Sequence, residues 1–441
     1  MQLLAPRWLM PMDNSCQVLE NHGLVMDQDR ILAVGTLQDL KQQYPQATRL
    51  DLPDQLLMPG LINMHCHAAM NLLRGAADDL PLHEWLQNRI WPLEGALADA
   101  EFVHDGSLMA QAEMLANGIT TVNDMYFFPE QAAQAALSTG IRLVAGIVVI
   151  EFPTRYASTA QEYIDRGLKA RDLYKGETTL HWAVAPHAPY TVSDNTFVQL
   201  AALAEELDLP IHCHLHETAS EVSDAVARTG ERPFERLNRL GLVNERLLAV
   251  HGVHLNDHEL QVMAQQGSTL VHCPSSNLKL ASGFAPTAHA LALGVNVTVG
   301  TDGAASNNKL DLWEEGRLAS LLAKGHSGDA TAWPAEELLK SLTCNAARAL
   351  GLEQVTGRLV AGLAADMISI AVGRAPHQLP LHNWPSKLAY SGSARDVEHV
   401  WVAGKQVVHA QQFTGNLPQL VLENIRKTER LWQTRVEKVG A

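Results

Sequence analysis

Between about residues 58 and 300 the chain alternates short, nearly all-apolar runs with longer stretches whose apolar positions recur at helical spacing. Eight runs stand out, at 60–64, 120–123, 142–149, 180–185, 210–216, 247–251, 269–272 and 295–300. Runs without polar alternation are what parallel strands buried on both faces require. Between them lie amphipathic segments such as 101–117, which stops at Gly118, together with 193–207 and 311–324. Eight strands alternating with helices predict an α/β fold, a (β/α)8 TIM-type barrel spanning residues 58–359.

The two ends have a different texture. Up to residue 57, apolar and polar positions alternate around Gly23 and Gly35, and residues 31–35 predict a strand ending in a turn. The same alternation returns at 365–370 and 400–405. The simplest topology joins residues 1–57 and 360–441 in one small β-sandwich domain beside the barrel.

Composition removes several classes of function. The formal net charge is −15 with no long basic run, which argues against nucleic acid and anionic membrane partners. The first residues lack a charged, then apolar, leader pattern, and no stretch stays apolar long enough to span a bilayer. The five cysteines are widely spaced and form no CxxC pair, so a reducing cytoplasm is expected rather than a disulfide framework. Cys66 lies between two histidines and reads as a small buried side chain or as a thiolate ligand.

Metal-capable side chains gather at the C-terminal ends of the predicted strands, which in a (β/α)8 barrel converge on one mouth. The first strand runs into His65-Cys66-His67, and residues two apart on an extended chain point to the same side. The fifth ends in His212-Cys213-His214-Leu215-His216-Glu217, the sixth in His251 and the eighth in Thr301-Asp302-Gly303. Three imidazoles and one carboxylate suit Zn²⁺ or Fe²⁺. Taken singly, each has a plainer reading: a structural HxH, a core histidine at 214, or a helix-capping aspartate at 302. Their placement at matching ends of different strands favours a metal site.

The segment Pro59-Gly60-Leu61-Ile62-Asn63-Met64-His65-Cys66-His67 resembles the first-strand signature of the amidohydrolase superfamily. His214-Leu215-His216-Glu217 and residues 300–308 resemble its aminohydrolase branch. Within that branch, Trp91-Pro92-Leu93-Glu94, Pro186-His187-Ala188-Pro189-Tyr190 and residues 275–280 are similar to the 5′-methylthioadenosine/S-adenosylhomocysteine deaminases. The resemblance spans nearly the whole chain. It implies metal ligation by His65, His67, His214 and Asp302, a proton shuttle at Glu217, and a water-orienting role for His251. Some members hold two metals bridged by a carboxylated lysine on the fourth strand; here residues 181–186 contain no lysine, so one divalent ion is expected, zinc before iron.

On that reading, water attacks C6 of a purine nucleoside while Glu217 protonates a ring nitrogen. Asp302 acts both as ligand and as acceptor of the water proton. Glu94 would accept hydrogen bonds from a ribose diol; otherwise it is a surface glutamate after a proline turn. His187 would donate to a purine ring nitrogen or serve as a loop histidine. Arg155 is the nearest candidate for an amino-acid carboxylate, and if it faces solvent, 5′-methylthioadenosine should be preferred over S-adenosylhomocysteine and adenosine. Trp85 and Trp91 fall in a lid-like segment and are equally readable as buried helix aromatics. The resemblance also implies a homo-oligomer.

Two alternatives stand beside this one. The same fold and metal could act on a free heterocycle (guanine, pterin, cytosine or a chlorotriazine), leaving Glu94 without a sugar to read. A catalytically inactive scaffold is the non-enzyme alternative, against which stands the presence of all six polar residues at the strand tips.

Overall fold

The computed structural model describes residues 1–13 and 15–440. At its centre are eight parallel strands: Leu61–Cys66, Ile119–Asp124, Arg142–Val149, Leu180–Pro186, Ile211–Leu215, Leu247–His251, Thr269–His272 and Asn296–Val299. Each pairs with the next in chain order. They are buried almost throughout, as helices on the outside and side chains within demand. The expected apolar runs match these strands to within a residue or two.

The first and eighth strands meet through a short polar seam. Asp302 N–H donates to the His65 carbonyl at 3.0 Å. Thr301 N–H donates to Asn63 Oδ1 at 3.0 Å, and Asn63 Nδ2 returns a bond to Thr301 Oγ1 at 2.7 Å. Gly300 makes this approach possible, because a Cβ there would sit 2.7 Å from the His65 nitrogen. The seam thus places two site-bearing strand ends side by side.

Helix starts are set by side-chain caps. Asp99 accepts from Phe102 N at the start of Ala100–Ala116, Ser193 from Thr196 N before Asp194–Leu207, and Asp311 from Trp313 N and Glu314 N before Leu312–Ser327.

The chain ends share a second, mixed nine-stranded sheet. Its hinge is the long strand Thr48–Pro59, parallel to Gln2–Leu9 on one side and antiparallel to Met367–Ala371 on the other. This strand leads through Gly60 into the first barrel strand. The two sheets are also tied by a buried ion pair. Arg142, opening the third barrel strand, donates from Nε and Nη2 to the two carboxylate oxygens of Asp366 at 2.8 and 3.1 Å. Ala403 N–H donates to the same carboxylate at 2.6 Å.

Residues Leu417–Gly440 depart from the β texture expected of the chain's end: they form a nearly continuous helix with one π-helical turn at Thr428–Trp432. Leu417, Val421, Asn424 and Trp432 recur at helical rather than alternating spacing, and that period prevails. No described helix is long and apolar enough to cross a membrane.

Candidate active site

Four strand tips supply the polar residues. His65 is the penultimate residue of the first strand and His67 follows the strand, their rings 4.7 Å apart and edge-on. His214 lies on the fifth strand, His251 closes the sixth, and Asp302 follows the eighth. Three residues at these tips, His216, His251 and Asp302, have positive φ (+54°, +73° and +61°). Left-handed backbone at a non-glycine residue costs about 1–3 kcal/mol and persists only where surroundings enforce it. At His216 the enforcement is visible: Glu221 accepts the N–H groups of His216 at 3.0 Å and Glu217 at 2.8 Å, fixing the turn that presents Glu217.

The imidazoles are arranged for a cation. His67 Nδ1 lies 2.6 Å from the Met125 carbonyl and His214 Nδ1 lies 2.7 Å from the His187 carbonyl. A carbonyl only accepts, so both Nδ1 atoms carry a proton, and in the neutral rings that bind a metal both Nε2 atoms carry lone pairs. Those Nε2 atoms face one another at 3.3 Å. Asp302 Oδ1 lies 3.4 Å from His65 Nε2 and 3.5 Å from His67 Nε2. The fully buried His65 Nε2 has no hydrogen-bond partner among the described residues. Two nitrogens each 2.0–2.1 Å from a tetrahedral ion stand roughly 3.3 Å apart, so the spacing fits a divalent metal. His65, His214 and His251 form a second convergent trio, which puts His251 beside the same position.

Burial lowers the His65 imidazole to about 4 and His214 well below its ordinary value, leaving both neutral, as ligation requires. Burial would raise the Asp302 carboxyl, but the adjacent His65 imidazole, with His67 and His251 beside it, outweighs burial and holds Asp302 well below the usual range. Ser276 Oγ donates to Asp302 Oδ2 at 2.6 Å, and His251 Nδ1 contacts Asn277 Oδ1 at 2.9 Å. Cys66 is not part of the constellation. Burial pushes its thiol well above the ordinary value, and Sγ donates to the Asp302 carbonyl at 3.3 Å.

A cleft of about 160 Å³ opens on this cluster. Its floor includes His67, His214, Glu217, His251 and Asp302, and its wall includes Glu94, His187, Trp85 and Trp91. All of the residues expected to meet substrate therefore share one cavity. Glu217 Oε2 lies 3.8 Å from His251 Nε2, and burial, then the Asp302 charge, pushes Glu217 up to about 8. A carboxyl so placed carries a proton near neutral pH and can donate it. Glu94 receives the Tyr126 hydroxyl at 2.7 Å, while burial raises it to about 7 against that bond. His187 is lowered to about 3 by burial and by His67 and His65, so it is neutral, and Nδ1 meets Thr191 Oγ1 at 3.1 Å.

Arg155 stands at the rim with its guanidinium already engaged. Nη1 donates to the Ala96 carbonyl at 2.8 Å, Nη2 pairs with Asp99 at 3.3 Å, and the side chain is 44% exposed. Tyr126, Thr191, Glu221, Ser276 and Asn277 were not singled out in the sequence as site residues. Each acts by contact with a residue that was, and only position just beyond a strand end could have marked Tyr126.

Barrel, strand-tip histidines and aspartate together define a metal-dependent hydrolase of the amidohydrolase class, and a family model described as "Amidohydrolase family" matches residues 56–407. The chain belongs to that family and, within it, to the 5-methylthioadenosine/S-adenosylhomocysteine deaminases. A protein of that name from Saccharophagus degradans is 42% identical over 435 residues, covering 99% of this chain and 96% of its own length. The crystal structure of an adenosine deaminase from Xanthomonas campestris with bound zinc is 42% identical, with a TM-score of 0.95 over 99% of this chain and 98% of that one. The atrazine chlorohydrolase TrzN from Arthrobacter aurescens, 22% identical with a TM-score of 0.89 over 97% of this chain and 100% of its own, shares the fold. Residues 23–47 also match a bacterial imidazolonepropionase-like composite domain.

Proposed function

We propose that this enzyme hydrolyses the 6-amino group of 5′-methylthioadenosine, giving 5′-methylthioinosine and ammonia, with S-adenosylhomocysteine and adenosine as further substrates. The observation that carries the reading is Glu94: a half-buried carboxylate on the wall of the cavity whose floor holds Glu217 and the histidine cluster. A free base would leave that carboxylate with Tyr126 alone, whereas a ribose diol supplies two donors. The names of the relatives at 37–42% identity support the same choice.

His65, His67, His214 and Asp302 would hold one divalent ion, zinc by preference because the 42%-identical deaminase binds it. Such an ion, when bound, acidifies a water toward neutrality and supplies the nucleophile. Glu217 protonates the ring nitrogen next to C6, so that the ring can accept an oxygen there. Asp302 takes one proton from the water as its oxygen bonds to C6, and His251 holds that water in line. The C6–N bond then breaks: the proton on Asp302 goes to the amine, which leaves as ammonia, and the remaining hydroxyl proton returns to Glu217 as the carbonyl forms. His187 donates to a second ring nitrogen from Nε2 when the Thr191 hydroxyl turns toward Nδ1. Arg155, tied to Ala96 and Asp99, is spared substrate contact in this reading, which favours a small uncharged 5′ group. Free cysteines throughout fit a reducing compartment, and the family reading adds a homo-oligomer.

Initial deamination rates across 5′-substituted adenosines test the proposal. Fastest turnover per micromolar with 5′-methylthioadenosine supports it; release of ammonia from guanine alone defeats it.

A further inference from the structure

The helix bearing Glu94 does not stand alone. Trp91–Leu97 presents two adjacent stripes. Trp91 and Glu94 line the cavity, Leu93 and Leu97 are buried in an adjoining apolar cluster, and Ala98 borders both. That cluster also contains Trp85, Phe102 and Trp432, with Leu431 and Val436 packed against it. The last three come from the helical segment Leu417–Gly440, more than 300 residues away in the chain. The segment is anchored at Asp105 on the helix Ala100–Ala116. Trp432 Nε1 donates to Asp105 Oδ2 at 2.8 Å, Lys427 Nζ reaches the same oxygen at 2.5 Å, and Asn424 Nδ2 donates to the Asp105 carbonyl at 3.1 Å. Trp432 is fully buried and sits edge-on to Phe102 at 5.4 Å. Beyond this anchor, residues 433–440 pack on the Glu94 helix itself.

The Glu94 helix follows directly on a π-helical turn, Leu86–Ile90, flanked by Trp85 and Trp91. π-turns forgo regular helical bonding, so such a segment relies on packing for its register. Its rear packing is the distant helix, and Arg89 Nη1 lies 3.4 Å from the Gly440 carbonyl at the same junction.

We infer that residues 417–440 form a strap whose Trp432–Asp105 anchor sets the position of Glu94, making Trp432 a positioning residue for nucleoside recognition. The inference rests on the reading of Glu94 as the acceptor of the sugar diol. Loosening the strap lets the Glu94 helix shift while the strand-tip cluster, held by the barrel, stays in place. The cost therefore falls on sugar binding and spares the chemical step.

The test is steady-state kinetics of the metal-loaded enzyme with 5′-methylthioadenosine and its 2′,3′-dideoxy analogue, for wild type, E94Q, W432F and W432A. Alongside, amide hydrogen exchange is followed over residues 82–97. E94Q should raise KM for the diol substrate and not for the dideoxy one; equal effects on both would sink the reading of Glu94 and leave the strap to be judged by exchange. W432A should reproduce the E94Q pattern, with KM for the diol substrate up about tenfold, kcat within about twofold, and faster exchange over 82–97. W432F, which keeps the ring but loses the bond to Asp105, should fall between. A W432A enzyme with unchanged exchange over 82–97, or with kcat lost equally on both substrates, overturns the inference. Should W432A fail to fold, the W432F and K427M variants decide by the same two readouts.

Discussion

The Nε2 atoms of His67 and His214 face each other at 3.3 Å, with both Nδ1 protons committed to backbone carbonyls. With both rings neutral, neither nitrogen can donate to the other, and the pair presents two lone pairs to one point. One divalent ion per chain is expected in purified protein by elemental analysis. Chelation should abolish activity and lower the unfolding temperature, and restoring the ion should raise it, since a ligand bound only by the folded state stabilises it. A His67→Ala protein that keeps a full complement of metal and activity would remove His67 from the site.

Glu217 is held as a proton donor by burial and by the turn that Glu221 enforces. Glu217→Gln should keep its metal and its KM for 5′-methylthioadenosine to within a few fold while kcat drops by about 10²–10⁴. Glu221→Ala should lower kcat more modestly, because the two backbone N–H groups it receives lose their partner and the Glu217 turn relaxes. Retained turnover in the glutamine variant would exclude the proton-shuttle role.

Glu94 provides the pH prediction. Its carboxyl is raised to about 7 by burial, so below that value it is increasingly protonated and one oxygen becomes a donor rather than an acceptor. KM for nucleosides carrying the 2′,3′-diol should therefore rise as pH falls through about 7 and level off above it. The E94Q enzyme should lose this dependence. A KM that stays flat across the range in wild type would show that the carboxylate is not reading the sugar.

The buried Arg142–Asp366 pair makes a separate prediction about stability. Both groups are almost wholly enclosed, and removing one partner strands the other's charge. Asp366→Asn should destabilise the fold by about 3–5 kcal/mol in urea titration. The active-site geometry lies at the opposite ends of the strands and should be preserved in the folded fraction, so the specific activity per folded molecule should hold.

Much of this was legible in the chain. Uninterrupted apolar runs identified the eight strands because a parallel strand covered on both faces leaves no room for polar alternation. His65, His67, His214, Glu217 and Asp302 were legible because fold topology sends every strand's C-terminal end to one mouth. Residues that matter through a neighbour were not. Ser276 holds Asp302 and Tyr126 holds Glu94 across separations of 26 and 32 residues, and no local pattern encodes such a bond. Arg155 stands in the sequence as the nearest candidate for an amino-acid carboxylate, and no local pattern tells that the cap residue Asp99 and the Ala96 carbonyl lie within its reach. The strap was missed for a related reason: its partner surface is the back of the Glu94 helix, and the period of residues 417–440 says that they are helical without saying what they cover.

The engagement of Arg155 has a kinetic consequence. Arg155→Ala should leave the preference for 5′-methylthioadenosine over S-adenosylhomocysteine unchanged to within about threefold in kcat/KM, as expected for a half-exposed pair worth under about 1 kcal/mol. Selective loss of S-adenosylhomocysteine turnover would instead assign its carboxylate to Arg155.

The most direct test is ammonia release by metal-loaded enzyme from 5′-methylthioadenosine, adenosine, S-adenosylhomocysteine and guanine, measured as kcat/KM under one set of conditions. The three adenosine derivatives should be deaminated, with 5′-methylthioadenosine foremost and guanine untouched. Turnover of guanine with none of the nucleosides would contradict both the reading of Glu94 and the proposed reaction.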